Sequence, residues 1–253
     1  MKVSVIVPTY QRPELLAEAL ASIMAQRYPP DQFEAVVVHD GPNCMQPAWY
    51  HPAHFRFIRQ EHKGLSAAVN YGVRLARGEY ISILSDDDFI YPNKFVVLAG
   101  YLDVHPGADA VYSLPMYVDQ DGNNLGTPER NRGWLTAHSV VTWETVRAGH
   151  GILIHGTSIL YRRTMCIEAG PWDETLKGGE EWEYHLRLLS MGYVFHGVDA
   201  VTTAYRVHPG QKSGRRFRRT TARFELRRRI NERYADRLTR PAPDRRIDVA
   251  AHA

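Results

Sequence analysis

Apolar residues in the first hundred positions follow two rhythms. Val3 to Val7, Phe33 to Val38 and the run from Tyr80 to Leu84 are short and rich in β-branched or aromatic side chains, the pattern of strands buried on both faces. Between the first two, Leu15, Leu16, Ala19, Leu20, Ile23 and Met24 recur at helical spacing behind Pro13, which suits a first helical position. Phe55 to Ile58 is a weaker third strand, and a helix follows from Leu65 to about Ala76, closed by Gly78. Strand, helix and strand within forty residues make a βαβ unit, so the chain is predicted to be α/β with a parallel, right-handed crossover.

Farther on the signals weaken. Pro92 and Asn93 open a helix through Leu102. Ala110 to Ser113 and Tyr117 to Asp119 read as two strands, followed by an Asp-Gly-Asn-Asn turn at 121–124. Residues 126–151 lack periodicity, and a loop of that length in a compact domain is typically a lid or binding loop. Thr157 to Tyr161 reads as a strand, Arg163 to Ala169 and Glu180 to Met191 as helices, then Tyr193 to His196 and Ala200 to Val207 as two more strands.

Composition changes this picture little, and charge changes it more. The 253 residues allow a full core, and 44% hydrophobic with 23% charged is ordinary for a globular domain. Cys44 and Cys166 form no metal or redox spacing, which fits a reducing compartment. The N-terminal apolar run is closed by Pro8 and lacks a cleavage signature, and no run approaches the roughly 20 residues of a bilayer span. A cytoplasmic protein, or one peripheral at the inner membrane face, is expected. The net charge of +3 hides an asymmetry: residues 212–246 carry 14 Lys or Arg against 4 acids, leaving 17 against 24 elsewhere. Phe224, Leu226, Ile230, Tyr234 and Leu238 form an apolar stripe in that basic segment. A helix over 211–240 packing on the acidic body is the first reading, and contact with an anionic membrane the second. Residues 241–253 read as a disordered tail. No nucleic-acid motif accompanies the charge.

The chemistry concentrates where the run from Tyr80 ends in Asp86-Asp87-Asp88. In an open α/β sheet, ligands sit beyond the carboxyl ends of the strands. Three acids there repel unless they share a positive partner, and Mg²⁺ or Mn²⁺ with substrate phosphates is the natural one. The plain alternative is a solvated acidic turn.

Several further stretches fall in a telling order: Val5 to Tyr10, the strand end Val36 to Gly41, Gly64 to Gly72, Ala76 to Ile81, Ser85 to Asp88, Tyr91 to Lys94, Gly179 to Trp182, and Tyr205 to His208. Together they resemble the family-2 inverting glycosyltransferases of GT-A fold, over roughly residues 2–210. The resemblance implies a Rossmann-like, mostly parallel nucleotide-binding sheet, with residues 1–113 as the nucleotide-sugar half and 114–210 as the acceptor half. It implies a divalent metal cofactor, a nucleoside-diphosphate sugar donor (a UDP-sugar favoured) and a saccharide or lipid-linked acceptor in polysaccharide, glycolipid or cell-envelope glycan synthesis. It assigns Pro8, Thr9, Tyr10, Arg12, Asp40, Lys63, Asp86 and Asp87 to the nucleotide. Asp87, Asp88 and His208 become metal ligands, and Glu181 the catalytic base. Trp134, His155, Trp172, Glu180 and Trp182 are candidates for the sugar or acceptor side, with His138 and Trp143 in the lid.

The pattern departs from many relatives at Ser85, where they carry an acid, and at Val69, where they carry Arg. The first leaves the main metal ligand open between Asp87 and Asp88. Each assignment has a structural counterpart: an Asx turn for Asp40, dipole-favoured acids for Glu180 and Glu181, core indoles for the tryptophans. Two rival functions, a nucleotidyltransferase and a non-catalytic nucleotide- or glycan-binding module, would use similar sheets. The first normally follows its first strand with a Gly-rich basic loop, which Pro8 to Arg12 is not.

Overall fold

A computed structural model of the chain describes residues 1–42, 54–127, 140–148, 154–211, 228–241 and 243. Four parallel strands, β1 (Val3–Thr9), β2 (Phe33–Asp40), β3 (Phe55–Gln60) and β4 (Tyr80–Ile83), lie in the order β3-β2-β1-β4. Helices α1 (Pro13–Met24) and α2 (Leu65–Leu75) make the crossovers. β2 leaves β1 on one side and β4 joins it on the other, so the chain direction switches between β1 and β4. That point, at the carboxyl ends of the strands, is where open α/β sheets build their ligand sites.

The sheet continues through β9 (Ile159–Arg162), antiparallel to both β4 and β6 (Ala110–Val118), then through β10 (Phe195–Arg206), parallel to β6, to the two-residue β5 (Phe89–Ile90). Short β7 (Asn124–Gly126) and β8 (Val140–Val141) flank β6 and β10. Here the sequence reading is corrected: each pair of strands expected over 110–119 and 193–207 is one long strand. Pro115, which lacks a ladder N–H, lies between the two runs expected in β6. Its place opposite Thr203 lies where β10 is irregular, with register shifts at Val198/Val201 and Val201/Thr203. The bulges absorb the missing donor and keep both strands continuous.

Two apolar clusters cover the two faces. One joins α1 and α3 (Lys94–Val104) to the sheet through Leu16, Leu20, Phe95 and Leu98. The other joins α2, α5 (Arg163–Glu168) and α6 (Glu180–Ser190) through Val69, Met165, Tyr184 and Leu188. Each fully buried aliphatic side chain contributes about 1.5–3 kcal/mol, so β1 and β4 are clamped from both sides. α4 (Trp143–Arg147) and the C-terminal α7 (Ala235–Leu238), preceded by helical residues 228–233, add to the second cluster. Ile230 and Tyr234 are buried and Leu238 packs beside them, so the described part of the apolar stripe faces the body. Phe224, Leu226 and the 244–253 segment lie outside the described residues. No described helix is long and apolar enough to cross a membrane.

Candidate active site

β4 ends at Ile83, and the three acids follow on a turn before β5. Successive side chains on such a turn cannot share one direction, and the three diverge. Asp86 turns back to the end of β1. Its Oδ2 accepts from Thr9 Oγ1 at 2.8 Å and Tyr10 N–H at 3.4 Å, and its Oδ1 from Arg12 at 3.1 Å. Burial and the Asp87 charge raise its pKa against the pull of Arg12 and these donors. Asp87 faces Arg12 Nη1 at 2.9 Å and His208 Nε2 at 3.1 Å, both on Oδ2. Arg12 also donates to the Gly210 carbonyl at 3.1 Å, tying the segment after β10 to the acids.

Asp88 points inward and is 2% exposed. Its Oδ1 accepts the Arg206 N–H at 2.8 Å, and burial together with the Asp87 charge raises its pKa well above the carboxylate norm. Its cationic neighbour is Lys94, fully buried, whose Nζ donates to the Thr157 carbonyl beside Thr203 Oγ1. Asp88 thus spends Oδ1 on the backbone of β10 and is the least accessible of the three acids. Among the described residues, no three His, Cys, Asp or Glu side chains close into a metal site. Asp87 Oδ2 and His208 Nε2 do fit a cation. Bonds of about 2.1 Å at right angles set neighbouring ligands roughly 3 Å apart, and Mg²⁺-type sites take one or two carboxylates and complete the shell with phosphates and water.

The other residues expected to face a nucleotide cluster at the ends of β1 and β2. Both Asp40 oxygens are occupied: Gln60 Nε2 and Lys63 N–H donate to Oδ1, and Gly64 N–H to Oδ2, each at 2.8 Å. His62 Nδ1 lies 2.9 Å from Oδ2. Burial works to raise the Asp40 pKa, but these donors and the His62 charge outweigh it and leave it lowered. Lys63 contributes its backbone N–H here, while its side chain is exposed. Tyr10, also exposed, stacks on His62 with centroids 4.3 Å apart. Pro8 is buried in β1 and sets the path of the Thr9–Tyr10 turn.

Of the residues expected to catalyse or to face the acceptor, Glu181 sits in the first turn of α6. Its Oε1 lies only 1.7 Å from where a Cβ on Gly156 would be, and the Gly156 N–H bonds the carboxyl. Burial of that carboxyl, with the Glu180 charge, pushes its pKa up to about 8. Glu181 and Asp88 are near enough for the charge of one to raise the pKa of the other, so the two acidic groups border one site. His155, next to Gly156, contacts Tyr117 Oη at 3.1 Å and packs on Tyr205. Glu180 is buried. Trp172 and Trp143 are core indoles, Trp172 against Tyr184 and Trp143 against Tyr234, which corrects their assignment to sugar or lid. Trp182 is partly buried and donates to Asn231 Oδ1 at 3.1 Å. Trp134 and His138 lie outside the described residues. Gly156 and His62 were given no role by sequence reasoning, and Lys94, the first residue of α3, and Arg206 lay within the stretches 91–94 and 205–208 without a role of their own.

The family description "Glycosyl transferase family 2" matches residues 4–168. An uncharacterized glycosyltransferase of Rickettsia felis is 28% identical over 221 residues, covering 83% of this chain and 35% of the relative. The chain thus spans about a third of that relative's length. Among solved structures, S. aureus TarS 1–349 in complex with UDP-GlcNAc superposes with a TM-score of 0.67 at 20% identity, covering 91% of this chain and 65% of that one. Mannosyltransferase PcManGT from Pyrobaculum calidifontis, in complex with GDP-Man and Mn²⁺, superposes at 0.63 with 22% identity, covering 83% and 58%. These likenesses identify the sheet as the GT-A fold. With the family match covering well over half its length, the chain belongs to glycosyl transferase family 2.

Proposed function

We propose that this chain is a metal-dependent, inverting glycosyltransferase that moves a sugar from a nucleoside-diphosphate sugar, a UDP-sugar in first place, to an acceptor hydroxyl. The observation that carries the reading is the carboxyl of Glu181, docked on the Gly156 backbone within reach of the charge of Asp88, the last acid of the triplet, and raised to about 8. General bases work best with a pKa near the operating pH. The UDP-GlcNAc and GDP-Man carried by the structural neighbours are the ground for the donor class.

Each residue then has a task. Tyr10, stacked on His62, offers an aromatic face for the base, and Asp40 fixes the start of α2 beside it. Thr9 and Arg12 hold the Asp86 and Asp87 carboxylates at the switch point. A divalent cation bound by Asp87 and His208 would supply charge neutralisation for the diphosphate. Glu181, unprotonated, takes the proton of the acceptor hydroxyl as its oxygen attacks the anomeric carbon from the face opposite the nucleotide; the bond to the diphosphate oxygen breaks, and the configuration inverts. The test is transfer from UDP-sugars with Mn²⁺. Glu181→Gln should lose roughly 10²–10⁴-fold in kcat while still binding UDP, and Asp87→Ala should lose metal-dependent UDP binding. Normal turnover in Glu181→Gln would reject the base.

A further inference from the structure

One pocket lies outside the groups used above. Its volume is about 480 Å³, with Thr175, Leu176 and Lys177 on one wall and Arg229, Ile230, Glu232 and Arg233 on the other. The first wall is the loop that leads into α6, and the second is the C-terminal helical segment. Buried Leu176 and Ile230 make it apolar at the base. Its rim is basic. Arg233 is committed to Asp173 at 2.7 Å, and the one acid, Glu232, is neutralised by Arg228 at 2.6 Å. Among the described residues, no ion pair engages Lys177 or Arg229, and both are exposed.

The position of these two cations is as telling as their charge. Lys177 Nζ lies 3.8 Å from the place of a Cβ on Gly64, whose N–H caps Asp40, so the pocket mouth adjoins the nucleotide side. Lys177 and Glu181 are four positions apart, which keeps their Cα atoms within roughly 14 Å. The donor diphosphate would have its own partners in Arg12 and in the cation that Asp87 and His208 would hold, at the strand ends. An anion seated at Lys177 and Arg229 would instead belong to whatever approaches Glu181.

We propose that this pocket is an anion subsite for the acceptor, and that the acceptor carries a phosphate group set back from the hydroxyl that is glycosylated. The inference rests on the glycosyltransferase reading and deepens it. A guanidinium fork and an ammonium on opposite walls suit a phosphate or phosphodiester, which accepts from both. A phosphodiester polymer and a lipid phosphate share that chemistry.

The experiment measures binding of two probes, a soluble glycerol-phosphate oligomer and vesicles containing phosphatidylglycerol. Each is presented to the full chain and to a Lys177→Glu/Arg229→Glu variant, with Mn²⁺–UDP binding followed in parallel. Both side chains are exposed, so folding should survive; a Lys177→Gln/Arg229→Gln variant repeats the test with neutral replacements. Loss of oligomer affinity by about tenfold or more, with UDP binding intact, supports the subsite and a polymeric acceptor. The same loss confined to vesicles supports it with a lipid source. Unchanged affinity of the variants for both probes overturns it. Failure of the unmutated chain to bind UDP would sink the glycosyltransferase reading itself, whichever way the phosphate probes behave.

Discussion

The most incisive perturbation of this site is a single methyl group, introduced by Gly156→Ala. The added Cβ would fall 1.7 Å from Glu181 Oε1 and 2.9 Å from its Cδ. Real contacts of a Cβ stay above 3.0 Å, so Oε1 must retreat by about 1.3 Å or more. The clash is with the tip of a flexible side chain and not with backbone, so the fold can relieve it by swinging Glu181 away. Stability should therefore change little, with a thermal midpoint within a few degrees of the parent. Chemistry should suffer far more, because a misplacement of about 1 Å can cost on the order of 10²-fold in rate. The expected result is a kcat lower by roughly 10²-fold, with UDP affinity unchanged because Thr9, Asp40 and Asp86 lie on other elements. Gly100→Ala, where nothing lies within 4 Å, is the control. Normal turnover in Gly156→Ala would show that the placement of Glu181 against Gly156 has no catalytic meaning.

Other consequences are as open to measurement. A base with a pKa near 8 is protonated below it, so kcat/KM should rise with pH through about 8 and lose that rise in Glu181→Gln. The same shift acts on stability: the folded state favours the protonated acid, so its contribution is full below the ordinary value of 4.5 and is lost as pH rises through 8. The thermal midpoint of Glu181→Gln should accordingly fall less over that range than the parent's. Lys94→Met should destabilise by about 1–3 kcal/mol in urea unfolding, since it removes a buried donor from the Thr157 carbonyl and Thr203 Oγ1; a neutral effect would refute that role. Gly78→Ala puts a Cβ 2.5 Å from the Ser4 backbone nitrogen, beside the β1–β4 ladder. Backbone cannot swing aside, so a loss of about 1–3 kcal/mol or more is expected by calorimetry.

The sequence was most readable where one physical rule acted alone. β1, β2 and α2 came out within two residues at each end because burial on both faces and helical spacing are local signals. The acid triplet was visible, but its division of labour was not. A turn sends Asp86, Asp87 and Asp88 in different directions, and only tertiary partners such as Arg206 and Lys94 decide which one is buried. Gly156 left no trace because its significance is a distance to a residue 25 positions away. Trp143 and Trp172 were open between core and sugar platform, and their buried neighbours place both in the core.

The C-terminal helical segment has a practical bearing beyond its charge. Tyr234 Oη donates to Glu183 at 2.6 Å, and Trp143 Nε1 to the carbonyls of Arg237 and Arg240 at 3.2 and 3.3 Å. Glu183 lies half a turn from Glu181, so the last described helix buttresses the very helix that would deliver the base. Anyone trimming this polypeptide for expression or crystallisation just past residue 211 would cut away that buttress. The shortened protein would keep its nucleotide pocket and fail at turnover.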